Sequence, residues 1–132
     1  MPATQYDAII QAAIDARQRA YAKYSGYQVG AALLSSSGEI ITGCNVENAS
    51  YGLTLCAERV AIGSAVAQGL REFSAIAIAT ADGSAPCGAC RQVLAEFSPD
   101  LPILLVPVEP PGDVVTTSLD LLLPRQFQFE KP

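Results

Sequence analysis

Apolar residues recur along this chain with two periods, and the points where the period changes divide it into alternating helices and strands. From Tyr6 to Tyr21, Ile9, Ile10, Ala13, Ile14 and Ala20 are interleaved with Gln11, Arg17 and Gln18, a spacing that predicts an amphipathic helix packed on a sheet. After the turn-like link Tyr24-Ser25-Gly26-Tyr27, the run Val29 to Leu34 predicts a buried strand, Ser35 to Gly38 a hairpin turn and Ile40 to Cys44 the partner strand. The polar stretch Asn45 to Tyr51 reads as a loop presenting side chains to a ligand. Cys56 to Gln68, with Val60, Ile62, Ala65 and Val66 among small residues, predicts a closely packed helix ended by Gly69. Ala75 to Ala79 is an apolar strand, Asp82 to Pro86 a loop, and Cys87 to Phe97 a helix with Val93, Leu94 and Phe97 on one face, stopped by Ser98-Pro99. Ile103 to Val106 predicts another strand, Val114-Val115 a short edge strand, and Ser118 the cap of a final turn through Leu123. Alternation of this kind predicts an α/β fold, a three-layer α/β/α sandwich with a mixed sheet buried between helices.

Composition narrows the function. The 132 residues fit one domain, residues 1–132, without repeats or linkers. Half of them are apolar and only 16% are charged, which predicts further surface buried between subunits. A net charge of −5 with eight dispersed Lys and Arg is the wrong sign for tracking a phosphate backbone, so no nucleic-acid partner is expected. No basic start followed by an apolar core is present, nor a run of about 18 apolar residues, so no membrane partner and a cytoplasmic location are expected. The four cysteines then read as metal ligands or buried thiols rather than disulfides. The absence of histidine excludes Ser-His and Cys-His nucleophilic schemes and leaves carboxylate, Tyr, Lys or Cys for acid-base work.

Two motifs carry chemistry. Thr54-Leu55-Cys56-Ala57-Glu58-Arg59 and Pro86-Cys87-Gly88-Ala89-Cys90-Arg91 each stand at a predicted helix start. Cys87 and Cys90 can reach one metal ion and Cys56 can supply a third sulfur, a set that leaves zinc one open position as catalytic sites do. Glu58 lies beside that position as the candidate proton carrier. Three thiolates weaken the metal as a Lewis acid unless positive charge offsets them, for which Arg59, Arg91 and the two helix N-termini are candidates. Cys44 reads as a small hydrophobe at a strand end.

Cys56-Ala57-Glu58 followed by Pro86-Cys87-x-x-Cys90 resembles the zinc-dependent cytidine deaminases, of the short three-cysteine kind. The resemblance runs from about Ala20 to Phe127. It implies a five-stranded sheet and one zinc ion per subunit. It also implies a homotetramer with sites shared between subunits. The implied reaction is hydrolytic deamination of cytidine and 2′-deoxycytidine by zinc-activated water, with Glu58 shuttling protons. By the same resemblance Asn45 and Glu47 bind the ribose, while Tyr27 and Ala57 line the substrate pocket. Ala49 and Tyr51 reach a neighbouring subunit's site, and Phe127, or Phe129 if the tail is shifted, stacks on a base from another subunit. Two departures are Lys23, where the family usually has proline, and Tyr27, where it often has phenylalanine. Two alternatives stay open: a deaminase of a modified cytosine nucleoside, as in the blasticidin S deaminases, and a non-catalytic zinc module closed by Cys44.

Overall fold

The computed structural model describes residues 3–127 and 129. It contains helix α1 (Ala3–Arg17), strands β1 (Gly30–Ser35) and β2 (Ile40–Cys44), a short 3-10 turn (Tyr51–Leu53) and helix α2 (Ala57–Ala67). Strand β3 (Phe73–Thr80), helix α3 (Gly88–Phe97), strands β4 (Pro102–Pro107) and β5 (Val115–Ser118) and helix α4 (Leu119–Leu122) follow. The sheet order is β2-β1-β3-β4-β5, with β3 and β4 parallel and the other neighbours antiparallel. The expected mixed five-stranded sheet is therefore present.

Strand alternation divides the core between the two faces of this sheet. Ala32, Leu34, Ala75, Ala77, Ala79, Leu104 and Val106 meet Ile9 and Ala13 of α1 on one face. Ala31, Leu33, Ile76, Ile78, Ile103 and Leu105 meet α2, α3 and α4 on the other. Helices cover both faces, which makes the three expected layers and explains why the central strands are almost continuously apolar.

Both helices of the metal motifs thus lie on one face, α3 being the crossover between parallel β3 and β4. Such a crossover starts at the carboxyl end of its first strand, where open α/β sheets form their ligand crevices. Helix α2 ends in a Schellman arrangement: Leu70 N–H donates to the Ala65 carbonyl and Gly69 N–H to that of Val66, with Gly69 at φ +85°. That φ is why glycine stands there.

Most boundaries shift by a residue or two from the sequence reading, and the departures at α1, β5 and α4 have physical causes. Helix α1 runs from Ala3 and stops at Arg17 rather than spanning Tyr6 to Tyr21. Beyond it, Tyr21 N–H bonds the Asn45 carbonyl and Glu47 N–H bonds that of Tyr21, so a tertiary bridge replaces the helix's last turn. Strand β5 begins at Val115 and includes the polar Thr116 and Thr117, in register with Leu104 and Ile103. Ser118 stands at the N-cap of α4 but its side chain makes no cap hydrogen bond. Among the described residues, no helix is long and apolar enough to cross a membrane.

Candidate metal centre and active-site cleft

Cys56 and Cys87 occupy the N-cap positions of α2 and α3, both with extended backbone and neither spending its side chain on the cap. Their sulfurs are free to turn toward one another, and Cys90 joins them from the first turn of α3. The Sγ atoms of Cys56, Cys87 and Cys90 all lie within 4.8 Å of one another. Cys56 and Cys87 are 4.0 Å apart and Cys87 and Cys90 3.3 Å apart. A tetrahedral zinc ion with bonds of about 2.3 Å separates its sulfurs by roughly 3.8 Å, so the group fits one such ion. Cys44 is not part of this convergence, and the four-cysteine structural site loses its fourth ligand.

The donor chemistry agrees. The hydrogen bond from Cys90, followed by the Arg59 guanidinium, draws the Cys56 thiol down to about 5, while that same bond and burial push Cys90 upward. Three sulfurs this close cannot all ionise without a cation between them, and two helix N-termini favour the thiolates. Arg59 Nη2 donates to Cys56 Sγ at 3.4 Å, and its buried Nε has no hydrogen bond among the described residues. Arg91 is placed otherwise. It donates from Nε to the Pro86 carbonyl and from Nη1 to the Leu122 carbonyl, both at 2.8 Å, so it braces the loop before Cys87 instead of meeting a sulfur.

A cleft of about 240 Å³ opens on this group. Glu58, in the first turn of α2, lines it while only 4% exposed. Burial, then the charge of Cys56, raises its carboxyl to about 7. Ala57 and the apolar Ile78 and Val29 line it as well, and Tyr27, Asn45 and Glu47, just before β1 and just after β2, form a further part of its wall.

That wall is held by its own polar groups. Asn45, 8% exposed, accepts from Val29 N–H through Oδ1 at 2.9 Å and donates from Nδ2 to the Tyr27 carbonyl at 2.8 Å. One Nδ2 hydrogen and one Oδ1 lone pair remain for a ligand. Glu47 Oε1 accepts from Tyr24 N–H at 2.9 Å and Ser25 N–H at 3.1 Å, and Oε2 accepts from the Ser25 hydroxyl. These bonds, that of the Ser25 hydroxyl foremost, keep Glu47 below the usual carboxylate range and so ionised.

The remaining sequence candidates lie apart. Ala49 and Tyr51 do not line the cleft, and Tyr51 is 77% exposed, its ring edge-to-face with Tyr24 at 6.5 Å. Lys23 stacks its ammonium 5.3 Å from the Tyr24 ring. Phe127 and Phe129 are 71% and 78% exposed, away from this chain's own cleft. Ser25, Thr54, Thr80 and Ser84 also line it and were not read from the sequence. Their Ser-Gly and Asp-Gly-Ser surroundings signal turns, but nothing local says which way those turns face.

Residues 3–105 match the family model described as the cytidine and deoxycytidylate deaminase zinc-binding region. The cytidine deaminase of Halalkalibacterium halodurans is 48% identical over 92% of this chain and 93% of its own length. A crystal structure of cytidine deaminase from Burkholderia pseudomallei is 51% identical and superposes with a TM-score of 0.87 over 92% of this chain and 98% of that one. The blasticidin-S deaminase of Bacillus cereus is more distant, at 33% identity over 76% of this chain and 77% of its own. With its three converging sulfurs and buried neighbouring glutamate, the chain belongs to the cytidine and deoxycytidylate deaminase zinc-binding family.

Proposed function

We propose that this protein hydrolytically deaminates cytidine and 2′-deoxycytidine, giving the uracil nucleoside and ammonia, with residues 1–132 acting as one catalytic domain. The observation that carries the reading is the buried Glu58 carboxyl beside three converged sulfurs, in a cleft that Asn45 and Glu47 also line. Zinc held by Cys56, Cys87 and Cys90 supplies, when bound, a Lewis acid with an open position that lowers the pKa of water. Glu58 takes the proton that water gives up as it adds to C4 and passes it to N3; it then takes the second proton from the C4 hydroxyl of the adduct and delivers it to the amine, which leaves as ammonia as the C4 carbonyl forms. Arg59 offsets the thiolate charge. Asn45 and Glu47 orient the sugar through the Asn45 lone pair and N–H left over and the one Glu47 Oε2 lone pair that its three hydrogen bonds leave.

The family embraces nucleoside and nucleotide substrates, and the cleft wall favours the former. Among the described residues that line it there is no Lys or Arg, while Glu47 and Glu58 both do. A phosphate would find no counter-charge there. The test is uridine formation from cytidine by the zinc-loaded protein, with cytidine monophosphate and blasticidin S alongside. Cytidine is expected to be the preferred substrate; turnover of blasticidin S alone would favour the modified-nucleoside alternative.

A homotetramer with shared sites is part of this proposal. Tyr21, Tyr24, Val46, Tyr51, Leu53 and Leu55 are all exposed large apolar or aromatic side chains within one stretch of the chain, the kind of surface that subunit interfaces cover. Ala49, Tyr51 and Phe127 then complete a neighbour's site. The expected solution mass is four times 13.8 kDa, and a stable, fully active monomer would defeat the shared-site reading. The requirement for three reduced thiols fits a cytoplasmic location.

A further inference from the structure

A side-chain contact joins the cleft-lining Tyr27 to Asp82, 55 residues further along the chain in the loop that leads into Cys87. Tyr27 Oη donates to Asp82 Oδ1 at 2.8 Å. On the sugar side, Tyr27 N–H donates to Ser25 Oγ at 3.0 Å, and the Ser25 hydroxyl in turn donates to Glu47. On the metal side, Asp82 Oδ1 also accepts from Ser84 Oγ at 2.8 Å, Ser84 N–H at 3.2 Å and Thr80 Oγ1 at 3.4 Å. Thr80, 3% exposed at the end of β3, accepts from the N–H groups of Gly83 and Ser84 at 2.8 and 3.1 Å. A continuous hydrogen-bonded chain therefore runs Glu47, Ser25, Tyr27, Asp82, Ser84, Thr80. The loop it grips continues through Ala85 and Pro86 directly into Cys87, and Ser84, Ala85 and Pro86 all line the cleft.

We propose that the Tyr27 hydroxyl and Asp82 form a latch between the cleft-lining Tyr27 and the loop that delivers Cys87, holding that loop at a fixed spacing from the residues that would bind the sugar. Both are positioning residues in this role: the Tyr27 ring lines the pocket, but its hydroxyl is turned to Asp82. Phenylalanine at this position would keep the ring and lack the latch, so the hydroxyl adds a constraint that the ring alone does not supply. The bonds from Ser84 and then Tyr27 hold the Asp82 carboxyl at about 2, so it is an ionised acceptor throughout the neutral range and the contact is of the stronger, charge-assisted kind. The latch fixes the width of the opening before the nucleoside arrives, and so acts on binding more than on proton transfer at Glu58.

This inference rests on the reading of the cleft as a nucleoside site, and the experiment separates the two. Zinc-loaded wild type, Tyr27→Phe, Asp82→Asn and the double variant are compared for cytidine turnover and for the rate at which a chelator strips zinc. Each single change is expected to raise KM about fivefold while kcat stays within about twofold, the scale of one lost charge-assisted hydrogen bond in solvent. Zinc release is expected to quicken in all three variants, and the double variant to be no worse than either single one, as for two halves of one contact. Independent, additive effects, or a Tyr27→Phe protein with unchanged KM and unchanged zinc release, would overturn the latch. A zinc-loaded wild type inactive on every cytosine nucleoside would instead sink the functional reading, and the chelator rates would still decide whether Tyr27 and Asp82 hold the Cys87 loop.

Discussion

Glu58→Gln is expected to lower kcat by about 10²–10⁴-fold while leaving one zinc per subunit in place. The substitution keeps the side chain's shape in a position only 4% exposed, so packing is preserved, and it leaves Cys56, Cys87 and Cys90 untouched, so the metal has its ligands. What it removes is the capacity to accept and return a proton beside the open position. No histidine exists to take over; of the other titratable groups lining the cleft, Cys56 and Cys87 are committed to the metal, and Tyr27 and Glu47 are held in hydrogen bonds of their own. The check is steady-state turnover of cytidine with zinc content measured on the same sample. A loss confined to kcat with metal retained supports the proton-carrier role. Wild-type turnover by the variant would assign proton transfer to another group, and loss of zinc would make Glu58 part of the metal site.

Much of this site was legible because its chemistry is local. Cys87 and Cys90 are three residues apart on one helix start, Cys56 and Glu58 two apart on another, and those helices were readable from small-residue periodicity and from Gly69 past the end of α2. Strand β2 was also readable residue for residue, because an apolar run bounded by turn signals has few alternatives. What could not be read was decided by distant partners. The end of α1 depends on Tyr21 pairing with Val46. The extent of β5 depends on Thr116 and Thr117 registering with Leu104 and Ile103 of β4, a pairing that no local apolar run announces. Arg91 follows the cysteine motif directly, yet its guanidinium is taken by carbonyls on either side of α3. Asp82, read only as part of a loop, meets a residue 55 positions away.

The close approach of α2 to β2 is another such feature, and it carries the second large effect. Gly43→Ala is expected to lower kcat/KM about 10²-fold and to destabilise the fold by about 1–3 kcal/mol. Gly43 lies opposite Ala31 in the sheet, directly beneath the first turn of α2. A Cβ there would stand 2.4 Å from the Ala57 carbonyl oxygen and 2.6 Å from Ala61 N. Both are backbone atoms, so no side chain can swing aside. The helix would have to retreat by about 1 Å, and a misplacement of that size is enough to spoil catalytic geometry. The part of α2 that must move is the turn that begins at Cys56 and carries Glu58, so packing loss and catalytic loss share one cause. Gly63→Ala is the matched control: it lies exposed in the same helix with nothing within 4 Å of an added Cβ, and it should stabilise the protein by about 0.5–1 kcal/mol with activity unchanged. Thermal unfolding and cytidine kinetics on zinc-loaded samples of both variants test the argument. A Gly43→Ala protein that is less stable yet fully active would show that β2 holds α2 without setting the position of Glu58.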